Sequence, residues 1–426
     1  MARRILNIAV LPFLLATALC LSATPAFAAE PLSLKEAIQT ALSRQPSILA
    51  SRLAVQVAEV SVRQAEANRM PVLSATSGMN HSSALGLPSN ASGINGHQTQ
   101  FTLSQPLYNP QQIGDAHRLA VLAKRSSEAA DRQTVLTVMY AAASAYAELL
   151  MAQDLLSAAK LDVEQAEKQV AIAQEQANGQ VGTMYQVLSA RSTLAQAHDS
   201  YVRALDAIHQ ARQSLEAALG ESLGDRAIDP AITLQSFSAE PEQIAKALEN
   251  RPDLEGLVIS REIKEALAAQ AANALLPTVN ALGISSLPMV GGIQYSLGLT
   301  ASWAMFDGGR SRIQGEGARL AAEQAQATLE ARRLQARHQI MSALHSYRTA
   351  QQRVSITQQG LKTAIDTLEI SRVRFEAGVG TSLEVINALT SLNSFQISHV
   401  QARYGVLRAQ LSLAQAMGLS LTELLP

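Results

Sequence analysis

The residues best suited to chemistry are few, and they do not converge. Eight histidines are scattered along the chain with no His-Glu-x-x-His or comparable ligand spacing, so they outline no metal site. His338 and His345 lie seven apart in a long polar helical pattern, where solvated side chains are the plainer reading. The glycines of "NGQVGT" (178–183) and "AGVGT" (377–381) match no phosphate loop, because they fall between two helical stretches instead of after a strand. No nucleophile has an evident base. The expectation is a protein that is not an enzyme and carries neither cofactor nor metal.

The elements around these residues say more. The chain opens with two arginines, Arg3 and Arg4, runs apolar from Ile5 to Leu21, and reaches the small residues Ala26 and Ala28, which describes a signal peptide over 1–28. A retained membrane anchor is opposed by Pro12 and by the shortness of the run. Cys20 is the only cysteine and follows Leu19, too large for a usual lipoprotein signal, so it is expected to leave with the leader. Losing Arg3 and Arg4 moves the formal charge from −1 to −3, which argues against a nucleic-acid partner. The composition is 47% hydrophobic but 4% aromatic, a gap filled largely by alanine, which favours closely spaced helices. No later stretch of about eighteen apolar residues is apparent, so entry into a bilayer would have to be through strands.

The sequence is written twice. "NGQVGTMYQVLSARSTL" is answered by "AGVGTSLEVINALTSL" and "LEAALGESL" by "LAQAMGLSL"; Pro71 matches Pro277, Tyr108 matches Phe306, Tyr146 matches Tyr347 and Gly220 matches Gly418. These separations of about 200 residues define two structural repeats, 29–229 and 230–426. Each begins with a short helix interrupted at Pro46 or Pro252 and a second helix ending near Arg69 or Leu275. A strand pair follows, predicted over about 72–80 and 98–107 in the first copy and 278–286 and 293–306 in the second. Long helices then run over about 110–178 and 183–220, and over 308–377 and 381–418. Asn109 and Pro110 are placed to cap and open the first, while Asp307, Gly308 and Gly309 turn the chain into its counterpart. Leu149, Leu156, Val163 and Val170 recur every seven residues with Ala152, Ala159, Ala166 and Ala173, a coiled-coil seam; Ile313, Leu320, Ala327, Leu334 and Met341 are its weaker equivalent in the second copy.

In the last strand Ile293, Tyr295, Leu297, Leu299, Ala301 and Trp303 alternate with Gln294, Ser296, Gly298, Thr300 and Ser302. One face suits lipid and the other water, although a soluble sheet packed on helices would alternate too. Four strands cannot close a barrel, and open edges in lipid leave costly unpaired amides, so a membrane sheet would have to be shared between copies. Two chains would supply eight strands and a filled interior; three would supply twelve and a bore.

The duplicated plan, "WAMFDGGR" (303–310) and "GVGTSLEVINAL" (378–389) together resemble the TolC-type outer-membrane efflux proteins over essentially the whole mature chain. The resemblance implies a mixed α and membrane-β fold. Four strands per chain would join a shared twelve-stranded barrel, and the long coiled helices would form a periplasmic α-barrel, in a homotrimer in the outer membrane of a Gram-negative bacterium. It implies the exit duct of a tripartite efflux or type I secretion system, with a periplasmic adaptor and an inner-membrane transporter as partners. The helix reversals at Gly179, Gly182 and Thr183, and at Gly378, Gly380 and Thr381, would lie at the pump and adaptor end. Family gate carboxylates fall on Glu384 and on Asn387, where aspartate is usual, so one acidic ring is expected instead of two. The rival reading is a periplasmic coiled-coil adaptor or scaffold. A passive uptake porin is disfavoured by the long helices.

Overall fold

The computed structural model describes residues 31–82, 94–180, 182–224, 226–231, 241–288 and 292–424. The leader expected over 1–28, with Cys20, lies outside the described residues. Helix α1 (Leu34–Arg44) begins where the Ser33 hydroxyl accepts the Glu36 amide at 3.3 Å, and Pro46 opens α2 (Pro46–Ala67). Four long helices follow, α3 (Ala116–Asn178), α4 (Met184–Leu219), α7 (Arg310–Glu376) and α8 (Ser382–Ala416). Between the pairs stand α5 (Pro241–Asn250) and α6 (Pro252–Ala272), and a short α9 (Leu421–Leu424) ends the described chain. With 63 and 67 residues, α3 and α7 are each about 100 Å long.

The starts of the long helices differ from expectation. The first opens as a π-helical turn, Pro110–Asp115, and becomes α-helical only at Ala116; Asp115 there accepts Nδ2 of Asn273 at 3.0 and 3.2 Å, tying the turn to the end of α6. The second starts at Arg310 and not at 308, because Gly308 and Gly309 take φ of 70° and 84°, outside any right-handed helix.

Strands β1 (Val72–Ser82), β2 (Ile94–Tyr108), β3 (Thr278–Pro288) and β4 (Gln294–Ser302) form one antiparallel sheet in that order. The first three outrun their expected lengths, while β4 stops four residues short of Phe306. Thr278 pairs with Ser302, and the residue before it is Pro277, which has no amide hydrogen to carry the ladder on. Register places Leu73, Leu103, Gly283 and Leu297 in one row, and Ala75, Phe101, Ser285 and Tyr295 in another on the same face. Rows between them, Ser74, Thr102, Ile284, Ser296 and Thr76, Gln100, Ser286, Gln294, belong to the opposite face. No helix covers the apolar face: Tyr295 and Leu297 are 83% and 84% exposed.

The helices pack as two hairpins, α3 with α4 and α7 with α8, joined where α8 lies along α3. In α3 the expected small-residue series Ala152, Ala159, Ala166 and Ala173 is buried, with Leu149, while Leu156, Val163 and Val170 of the large series are half-buried. In α7 the expected seam is not buried. Ile313, Leu320, Leu334 and Met341 are exposed, and the buried seven-residue series is Leu329, Ala336, Ala343, Thr357 and Ala364, with Ile340 and Leu368 from the companion series. Small residues occupy much of this close approach, and the larger apolar residues expected at the seam are left on the exposed side of α7.

A waist core gathers Leu34, Ile38 and Ala41 of α1, Met139, Ala142, Tyr146 and Leu150 of α3, Leu215 and Leu219 of α4, and Leu411 of α8. The Tyr146 hydroxyl sits against the carbonyl oxygens of Leu32 and Asp229 at 2.8 and 2.7 Å, and burial pushes its phenol above the usual range. Contrary to expectation, α3 is long and apolar enough by composition to cross a membrane; its apolar stretch is mostly buried, because it runs through this core.

Candidate functional site

Two regions gather the residues singled out in the sequence, the strand-to-helix turns and the hairpin tips. At the first turn Asn109 Oδ1 accepts the Gln112 amide at 3.0 Å, with Pro110 just inside the helix. At the second, Asp307 Oδ1 accepts the Gly309 amide at 2.9 Å, and Oδ2 accepts the Ser311 amide at 2.8 Å as well as the Ser311 hydroxyl. These bonds, the hydroxyl's foremost, hold the Asp307 carboxyl below the usual carboxylate range. Trp303 Nε1 donates to the Leu275 carbonyl at 2.9 Å, so the end of β4 is tied to the segment that leads into β3.

At the tip of α7 and α8, Gly378 is left-handed with φ of 74°, and the amides of Val379 and Gly380 both donate to the Arg374 carbonyl, at 3.0 and 2.9 Å. A Cβ on Gly380 would stand 2.9 Å from the Phe375 nitrogen, so the turn has room only for glycine. Thr381 then caps α8, its hydroxyl accepting the Glu384 amide at 3.2 Å. Ser382, Val385, Ala388, Leu389 and Leu392 are buried, whereas Glu384 and Asn387 share the outward face. Glu384 is met by Arg374 across the turn, Nε to Oε2 at 3.8 Å, with both side chains about half exposed.

The tip of α3 and α4 is built alike, with Gly182 donating to the Gln176 carbonyl at 2.8 Å and Thr183 capping. The left-handed residue is Gln180, with φ of 60°; Gly179 has an ordinary φ of −78°. Gln186 folds back to accept the Thr183 amide at 2.8 Å, closing a capping box. The two tips are linked, since Gln169 of α3 reaches Ser382 at 3.5 Å and Asn393 of α8 donates to Asp162 at 2.7 Å. Burial raises the Asp162 carboxyl above its usual range.

Sequence reasoning missed Gln180 and Arg374. They lie at matched positions of the two tips, Gln180 answering Gly378 and Gln176 answering Arg374 at a separation of 198 residues. Among the described residues no cluster of histidine, cysteine, aspartate and glutamate could hold a metal ion.

The model of the outer membrane efflux protein family matches residues 37–221 and 243–419. The chain belongs to that family. It is similar to the outer membrane efflux protein BepC of Brucella suis biovar 1, with 25% identity over 95% of this chain and 90% of BepC. Among solved structures it is similar to the outer membrane protein VceC of Vibrio cholerae, with a TM-score of 0.79 and 21% identity over 90% of this chain and 96% of that one. CusC, solved in connection with transmembrane channel formation, gives a TM-score of 0.83 at 18% identity, over 91% and 92% of the two chains. The TolC-type resemblance thus holds, and the family is one of outer-membrane proteins.

Proposed function

We propose that this efflux-family chain is one third of a homotrimeric exit duct. Three sheets would close a twelve-stranded barrel in the outer membrane, and the helices would continue it as a tube through the periplasm. Solute would pass down its gradient after delivery by an inner-membrane transporter and a periplasmic adaptor, in a tripartite efflux or type I secretion system, and no cofactor is required. Glu384 and Asn387 would line the periplasmic constriction, close to the turns that meet the adaptor.

The observation that carries this reading is the uncovered sheet. It offers an apolar and a mainly polar face, and among the described residues its outer strands β1 and β4 have no further strand partner. In lipid those edges must be paired, and identical copies provide matching ones. An adaptor reading would leave the apolar face of Leu73, Phe101, Tyr295 and Leu297 in water.

The test is to extract the protein from outer membranes in mild detergent, measure its native mass, and reconstitute it in planar bilayers. A trimer with stable ion conductance is expected. Recovery as a soluble single chain without detergent would refute the duct.

A further inference from the structure

Comparison of the two tips separates this chain from a simple acidic gate. Each turn has one residue at the helix end, whose carbonyl receives the glycine amide, and a second at the matched place in the first turn of the next helix. In the first copy these are Gln176 and Gln186, both neutral; in the second they are Arg374 and Glu384, one of each sign. Arg374 and Glu384 therefore stand where the other hairpin carries two amides. The turn that holds them near one another is sterically fixed, because Gly380 admits no side chain and Thr381 pins the Glu384 amide. Glu384 does not complete a capping box as Gln186 does; its carboxylate faces the guanidinium instead, at 3.8 Å. Nearby on α7, Arg372 and Glu376 add one further charge of each sign, and Asn387 adds none.

We infer that Arg374 compensates Glu384 at the constriction, so that the ring of three carboxylates is matched by three guanidinium groups and the gate does not filter by charge. The inference rests on the duct proposed above. An exposed ion pair of this length contributes little stability, but compensation does not need a strong bond. It needs only opposite charges held within a Debye length, about 8 Å at physiological ionic strength, and the turn provides that. The solute class admitted would include anions as well as cations.

The experiment measures reversal potential in a potassium chloride gradient, and block by hexaamminecobalt(III), for reconstituted wild type, Arg374→Gln, Glu384→Gln and the double variant. The double variant carries the same two residue types that the first hairpin has at Gln176 and Gln186, so it keeps the turn intact. Wild type and the double variant should be weakly selective and poorly blocked. Arg374→Gln should raise the cation-over-anion permeability ratio by about tenfold and sharpen the block, and Glu384→Gln should shift the ratio towards anions. Strong cation selectivity in the wild type, or an Arg374→Gln channel indistinguishable from it, would overturn the compensation while leaving the duct standing. No conductance from wild-type trimer would overturn both.

Discussion

At the scale of single residues, the firmest anchor lies away from the tips. Arg251 is 7% exposed, donates to the Ala416 carbonyl at 2.7 Å, and grips Asp253 with Nε and a terminal nitrogen at 2.9 and 2.8 Å; Arg332 reaches the same carboxylate at 3.1 Å. Burial acts to raise Asp253, but the bonds and charges of Arg251 and Arg332 outweigh it and hold the carboxyl below its usual range. The stabilisation is complete above the ordinary carboxylate range and is lost as pH falls through the lowered value. Asp253→Ala leaves Arg251 buried without its counter-ion, and a loss of about 3 kcal/mol in urea unfolding is expected near neutral pH, shrinking in acid. Asp162 behaves oppositely. Burial raises its carboxyl, so ionised Asp162 disfavours the fold above that value and the penalty is relieved as pH falls; Asp162→Asn should show an equal or higher urea midpoint at neutral pH and a flatter dependence on pH. Neither role was read beforehand: Arg251 and Asp253 are two residues apart, but the burial of the pair and its ties to Ala416 and Arg332 depend on distant residues, as does the contact of Asp162 with Asn393. The cap at Asn109 was readable, since capping is decided within three or four residues.

Elements were legible wherever local periodicity and punctuation agree. Pro46 and Pro252 open helices as expected, and strand alternation located all four strands. The seam of α7 was misread because Ile313, Leu320 and Leu334 outweigh Ala336 and Ala343 in hydrophobicity, although close helix packing selects the small residues. The left-handed position of the first tip is Gln180, which is not a glycine and so gave no local signal. Removing the conflict gives a prediction for the hairpins as units. Gly380→Ala must move Phe375 and the end of α7, and should loosen the α7–α8 tip, seen as faster amide exchange over 376–384. Gln180→Gly relieves a left-handed non-glycine, so it should slow exchange at the α3–α4 tip; equal or faster exchange there would show that Gln180 is not strained.

At the scale of the molecule, the helices follow the order of the strands. Within the chain α2 packs on α3, α3 on α6 and α6 on α7, just as β1, β2, β3 and β4 lie side by side. The series ends with an open strand and an open helix at each side. Those end helices carry exposed apolar residues, Leu49, Leu53, Val57 and Val60 on α2, and Ile313, Leu320, Leu334 and Met341 on α7. If the ring closes by pairing β4 with β1 of the next copy, α7 must meet α2 of that copy, and both stripes are buried at once. Each large aliphatic side chain so covered would contribute about 2 kcal/mol, enough for several together to decide assembly. Leu320→Glu with Leu334→Glu should therefore yield chains that keep their helical circular dichroism but no longer sediment as trimers in detergent. The control is Leu329→Ala, a residue only 1% exposed inside the chain, which should lower the unfolding midpoint and leave the trimer in place. Trimers surviving the double glutamate would mean that α7 does not face α2 of a neighbour, and closure would have to be carried by the sheet edges alone.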